Sequence, residues 1–199
     1  MRHIARVHSW TVAAGADPSG ENVRAGTPPD DWDALLAWWE EQREALRKMF
    51  TAGPDAPAWL SFGNYTRTVG SWARRQAHEA AIHRIDAELA RGGGTVQFDP
   101  AFAGDGIDEL LAMLVWGRRD WSAFAADGTV LVHAEDIGRL WTLRLLPGKA
   151  PRLADTEQPF EPDVTVEGSA DAVYRAVWRR PSAASVTGDA ALLEPLAAP

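Results

Sequence analysis

The chain has 199 residues and a formal charge of −8, from 20 Lys and Arg against 28 Asp and Glu; it is long enough for one or two compact domains, and its acidic balance argues against a general nucleic-acid binder. It contains no cysteine, which excludes disulfides and cysteine metal sites and means that any catalytic thiol must arrive from outside. No apolar run reaches the length of a membrane span and no signal peptide opens the chain, so the cytoplasm is the expected location and no membrane partner is expected.

Residues 1–14 read as a helix, with Ile4, Val7, Thr11 and Ala14 on one face and His3 and Trp10 beside it. It opens with no N-cap residue, leaving its first amide donors unserved, which suggests a start in mid-element. A Gly/Pro/Asp/Ser-rich loop covers 15–29. Asp30 or Asp31 caps a second helix that runs to Phe50, with Trp32, Leu35, Leu36, Trp39, Leu46 and Phe50 at helical period and a charged face opposite. After a break at 51–57, residues 58–70 form a loop or brief extended segment. Its Trp59, Phe62, Asn64, Tyr65 and Arg67 can line a pocket mouth or simply pack.

The central helix, 71–91, has no proline or glycine and ends at Gly92-Gly93-Gly94. Glu79 and His83 stand four apart, about 6 Å along the axis on one face. Such a pair can hold one metal ion, or it can be a solvated surface pair. The apolar stripe is expected at Trp72, Ala73, Gln76, Ala80, His83, Ala87 and Ala90, with Glu79 at its border; His78 falls on another face as a polar boundary residue. Polar groups on a buried face need partners, and a cation supplies one. His3 and His8 are five apart, so at most one of them faces the same interior point as His83.

The character changes near residue 97. Residues 99–106 read as a turn-rich linker, and 107–124 as a helix capped by Asp105 with Leu110, Leu111, Leu114, Val115 and Trp116 inward. Alternation at 129–133 and 140–145 predicts a β-hairpin, closed by a turn at Pro147-Gly148. A strand at 164–167, a helix at 172–178, a strand at 185–187 and a last helical turn or two at 190–196 follow. The expected domains are 1–96, all helix, and 97–199, α+β with an antiparallel sheet. The pairs Arg74-Arg75, Arg118-Arg119 and Arg179-Arg180 read as helix-surface pairs, and His133 as structural. No nucleophile elbow, phosphate loop or dinucleotide fingerprint occurs.

Several segments together resemble one family. W-A-R-R-Q-A-H-E-A-A-I-H-R-I-D-A at 72–87 resembles the signature helix of the mycothiol-dependent maleylpyruvate isomerase family of actinobacteria. F-D-P-A-F-A-G-D-G-I-D-E-L-L at 98–111 is similar to the start of its C-terminal domain, and D-V-T-V-E-G-S-A-D-A-V-Y-R-A-V-W-R-R and V-T-G-D to the later, sterol-carrier-like part. R-H-I-A-R-V-H-S-W resembles the end of its second helix. The resemblance implies a DinB-like bundle, here truncated to three helices, followed by a small α+β domain. It implies a divalent metal, usually zinc, on His3, Glu79 and His83, with His8 on the helix surface or behind the ligands. It also implies mycothiol as the thiol cofactor.

In the reaction so implied, the thiol adds to a cis double bond beside a carbonyl, the single bond rotates, and elimination leaves the trans isomer; related thiol transfers are equally open. Arg67, Arg74 or Arg75 could hold the carboxylates of a small acidic or electrophilic substrate. A second subunit, giving a homodimer, or the C-terminal domain would cover the truncated bundle. The alternative is a non-catalytic metal- or ligand-binding or scaffold protein of the same descent, whose C-terminal domain could hold an apolar ligand among Leu131, Trp141, Leu143 and Trp178 unless these form an ordinary core.

Overall fold

In a computed structural model, the structure describes residues 1–61, 64–115, 120–154 and 161–196. Phe62, Trp116 and the Arg118-Arg119 pair lie outside these residues. The chain divides into two compact units, Met1–Ser61 with Tyr65–Gly94, and Phe62–Asn64 with Thr95–Pro199.

The first unit holds three helices, α1 (Arg2–Ala16), α2 (Trp32–Phe50) and α3 (Val69–Ala90). Asp31 caps α2 by accepting from the Ala34 amide at 2.9 Å, with Asp33 in the first turn and Arg47 and Lys48 in the last, as the helix dipole favours. Thr68 caps α3, and Gly92, at φ 72°, ends it in the left-handed conformation. Only Leu35 and Leu46 of α2 are buried, and Trp32, in the first turn, is 57% exposed, contrary to the expected apolar face. The stripe expected on α3 is also corrected. The helix buries Val69, Trp72, Arg75, Gln76, His78, Ala81, Ile82 and Ile85, leaving Ala80 and Ala87 exposed. Burial scales with apolar area, so the large Trp and Ile side chains set the rotation where alanines cannot. His78 is therefore buried, at 1% exposure, and not a boundary residue. On α1 the buried set is Ala5, His8, Ser9, Thr11 and Ala14.

The second unit is α+β. The expected linker at 99–106 is instead mostly helix: Asp99 caps α4 (Pro100–Asp108), accepting from the amides of Ala101 and Phe102, with Pro100 in the first turn. Gly104 and Gly106 are thus helical, and a Cβ on Gly104 would meet Ile137 Cδ1 at 2.6 Å. The chain then widens into a π-helical segment, Glu109–Leu114. It is not helical at residues 120–124, where Asp120 accepts from the Ser122 amide and offers the backbone an alternative to helix.

A five-stranded sheet follows, in the order β3-β2-β1-β4-β5, from β1 (Gly128–Ala134), β2 (Arg139–Leu146), β3 (Lys149–Leu153), β4 (Val164–Gly168) and β5 (Ser185–Gly188). β1 and β2 form the expected hairpin, while β3 adds an edge that the sequence reading omitted. The sheet is mixed and not wholly antiparallel, because β4 lies beside β1 in parallel, with Val132 opposite Val166. Two reversals bring the chain back in β1's direction, and Asp163 Oδ2 secures the join by accepting from Thr129 N at 2.7 Å and Oγ1 at 2.8 Å. Helix α5 (Ala170–Val177), capped by Ser169, packs against α4, and Trp178 Nε1 donates to Gly106 O at 3.2 Å. Trp141, Leu143 and Trp178 are buried in the core; Leu131 alternates onto the opposite face from Val130 and Val132.

Candidate metal centre

α1 and α3 bring His3, Glu79 and His83 together, with one donor atom from each lying within 4.8 Å of the others. His3 Nε2 is 2.6 Å from Glu79 Oε1, and His83 Nε2 is 3.3 Å from the same oxygen. The two imidazole centroids are 4.9 Å apart, edge to face. Arg75, one turn before Glu79, donates from Nη2 to Glu79 Oε2 at 2.9 Å. One carboxylate oxygen thus faces both imidazoles while the other is anchored by a guanidinium.

Burial alone would push the Glu79 carboxyl up. The His83 contact, the Arg75 charge and the His3 hydrogen bond outweigh it and hold Glu79 at about 2. The Glu79 contact raises His83 above its ordinary value, against burial and with help from Asp86. His83 Nδ1 lies 2.9 Å from Asp86 Oδ2. With a proton on Nδ1, the imidazole presents a bare Nε2 toward Glu79 and His3, the orientation that carboxylates impose on ligating histidines. Asp86 was missed in the sequence; a carboxylate three residues after His83 on a helix was the available signal.

The donor set fits a small divalent cation. Two imidazoles and a carboxylate are a three-ligand set that leaves a fourth position open, and tetrahedral ligation at about 2.0–2.2 Å places donors roughly 3.3–3.6 Å apart. The side chains of His3, Glu79 and His83 are 63%, 16% and 33% exposed, so the open side faces solvent at His3.

Other residues singled out in the sequence fall elsewhere. His8 is buried and not on the helix surface; its Nδ1 has no hydrogen-bond partner, and burial lowers its pKa, partly offset by Glu79 and reinforced by Arg43. Arg75 is buried against Glu79, Arg74 is half-buried, and Arg67 is exposed in the loop before α3. In the second unit one donor atom each of His133, Glu135 and Glu167 also gather within 4.8 Å, with Glu135 exposed. No helix among the described residues is long and apolar enough to cross a membrane.

The family described as "Mycothiol maleylpyruvate isomerase N-terminal domain" matches residues 1–88, and "MDMPI C-terminal domain" matches residues 101–195. The chain belongs to the mycothiol-dependent maleylpyruvate isomerase family. Among solved structures it is similar to the crystal structure of the mycothiol-dependent maleylpyruvate isomerase, at 15% identity and a TM-score of 0.48, over 94% of this chain and 77% of that one. A histidine-to-alanine mutant of that enzyme is similar at 13% identity, with the same TM-score and coverage. No curated protein matches.

Proposed function

We propose that this protein is a metal-dependent enzyme that uses mycothiol, catalysing cis–trans isomerisation of the maleylpyruvate type or a related thiol transfer. The observation that carries the reading is the convergence of His3, Glu79 and His83, with donor atoms within 4.8 Å. These three residues would hold the cation, zinc by the nature of the donors, and a cation there would favour the thiolate of a thiol reaching the open position.

The chain's own residues do the rest. Arg75 fixes the Glu79 carboxylate through Oε2, and Asp86 fixes the His83 ring, so both are positioning residues. Arg67, exposed near the start of α3, and Arg74, half-buried within it, are the guanidinium groups assigned to the substrate's carboxylates. The absence of cysteine from the chain is consistent with a borrowed thiol. Family membership supports the mycothiol assignment and an acidic or electrophilic small-molecule substrate.

A second reading rests on Glu79 itself. Both of its oxygens already have partners, so the cluster can persist as a metal-free ion network in a non-catalytic protein. Cobalt substitution separates the two. Protein loaded with cobalt and titrated with mycothiol should develop a thiolate-to-cobalt charge-transfer band in the near ultraviolet, absent in His83→Ala. Cobalt that fails to bind, or a spectrum unmoved by mycothiol, would sink the enzymatic reading. Thiol-dependent conversion of maleylpyruvate, followed by absorbance, then decides between isomerase and transferase.

A further inference from the structure

We propose that the second unit carries a divalent transition-metal site of its own, held by His133, Glu135 and Glu167. One donor atom from each lies within 4.8 Å of the other two. The sheet sets this geometry. His133 on β1 stands in register with Glu167 on the parallel strand β4, and neighbouring strands run about 4.8 Å apart, so the two side chains leave one face side by side. It is the face opposite the buried Val130, Val132 and Ala134. Residues i and i+2 share a face while the backbone stays extended. Ala134, at φ −94° and ψ 97°, keeps it extended, and the 3-10 turn Glu135–Ile137 begins only after it. Glu135 is thereby delivered to the face that carries His133.

The charge of the cluster calls for a cation. Two carboxylates drawn together repel, and one imidazole offsets at most one of them. Other half-buried carboxylates of the chain are met by guanidinium groups, as Glu79 is by Arg75 and Asp171 by Arg175. Here, among the described residues, neither glutamate has a Lys or Arg within ion-pair reach, and the one side-chain hydrogen bond to them runs from Ser185 Oγ to Glu167 Oε1 at 3.3 Å. A dication supplies the missing charge, and the imidazole selects its class. One nitrogen and two oxygens suit zinc or manganese, whereas magnesium and calcium favour oxygen ligands alone. Tetrahedral ligation at about 2.0–2.2 Å needs donors roughly 3.3–3.6 Å apart. Glu135 is exposed and the last torsion of a glutamate is broad, so it closes the remaining distance without disturbing the sheet. A bound cation ties β1 to β4 and to the turn whose Asp136 Oδ1 accepts from Ala170 N at 2.8 Å, at the start of α5. The site lies wholly within the second unit and does not depend on the metal centre of the first.

Zinc titration of untagged, chelator-stripped full chain against a chromophoric indicator tests it. His133 is the only histidine beyond residue 83, so its imidazole resonances can be followed alone. In His83→Ala, where the first centre is broken, one equivalent of zinc should still bind, and the His133 ring resonances should shift in step with it. His133→Ala or Glu167→Gln on that background should weaken this equivalent about tenfold or more. Glu135→Gln, at an exposed position, should do the same and serves should either of those variants lose its circular dichroism. Magnesium in about a hundredfold excess should not displace the zinc. If the first centre takes no metal, the wild type and His83→Ala bind the same single equivalent, and His133→Ala still removes it. No zinc bound to His83→Ala at about 100 µM overturns the proposal. So does an equivalent that both His133→Ala and Glu135→Gln leave intact, or one that magnesium displaces at equal concentration.

Discussion

His3→Ala separates a metal centre from a surface ion cluster, because His3 is the most exposed of the three convergent side chains. Its imidazole is 63% exposed and touches Glu79 at 2.6 Å, so in metal-free protein its removal forfeits one largely solvated pair. Such pairs contribute below about 1 kcal/mol. Glu79 keeps Arg75 at 2.9 Å and His83 at 3.3 Å, so no buried charge is stranded. Zinc affinity should respond far more. If a three-ligand site supplies on the order of 10 kcal/mol, one ligand carries about 3 kcal/mol, or roughly a hundredfold in dissociation constant. The assay is competition with a chromophoric zinc indicator on chelator-stripped protein, beside urea unfolding with and without metal. Zinc at a hundred times its dissociation constant should stabilise the wild type by about 2.7 kcal/mol and leave the variant nearly unmoved. Equal zinc affinity in the two proteins would refute the reasoning. A loss of several kcal/mol in the metal-free variant would show that His3 holds the fold and not a cation.

Acid should unfold the helical unit partly through Glu79. Its carboxyl is held at about 2 against 4.5, so its contribution, at most about 3 kcal/mol, is complete above pH 4.5 and lost as pH falls toward 2; Glu79→Gln should flatten that limb of a pH-dependent unfolding series. His83 has the opposite sign: raised above 6.5, it stabilises fully below that pH and loses the contribution as pH climbs through its folded value. Since a cation requires the neutral ring, zinc affinity measured at successive pH values should rise across the same window. Thr11→Val should cost about 1–3 kcal/mol in urea unfolding, because Gln76 Nε2 donates to the fully buried Thr11 Oγ1 at 2.9 Å and Gln76 Oε1 already lacks a partner. Gly188→Ala should cost at least about 2 kcal/mol by calorimetry, since φ is 91° and a Cβ would sit 2.1 Å from Asp163 O.

The helices of the first unit were legible because their signals are local. Asp31 caps α2 where a capping carboxylate was expected, and the glycine triplet ends α3. The spacing of Glu79 and His83 placed both on one face without reference to any other part of the chain. The face that α3 buries was not legible: alanines made a false stripe, and Ile82 and Ile85 turned the helix. Nor was the helix from Pro100, where two glycines suggested a linker although Asp99-Pro100 is itself a start signal.

What the sequence determined alone was chemistry at short range: helix ends, hairpin alternation, the lack of a thiol, and the carboxylate and imidazole one turn apart. Tertiary structure decided what must be compared across the chain. It brought His3 from 76 residues away, turned Arg75 inward onto Glu79, and set β4 parallel to β1. Alternation is the same for either strand direction, and a helix carries no record of which partner its polar face will meet; only the burial of the large apolar side chains selects among those arrangements.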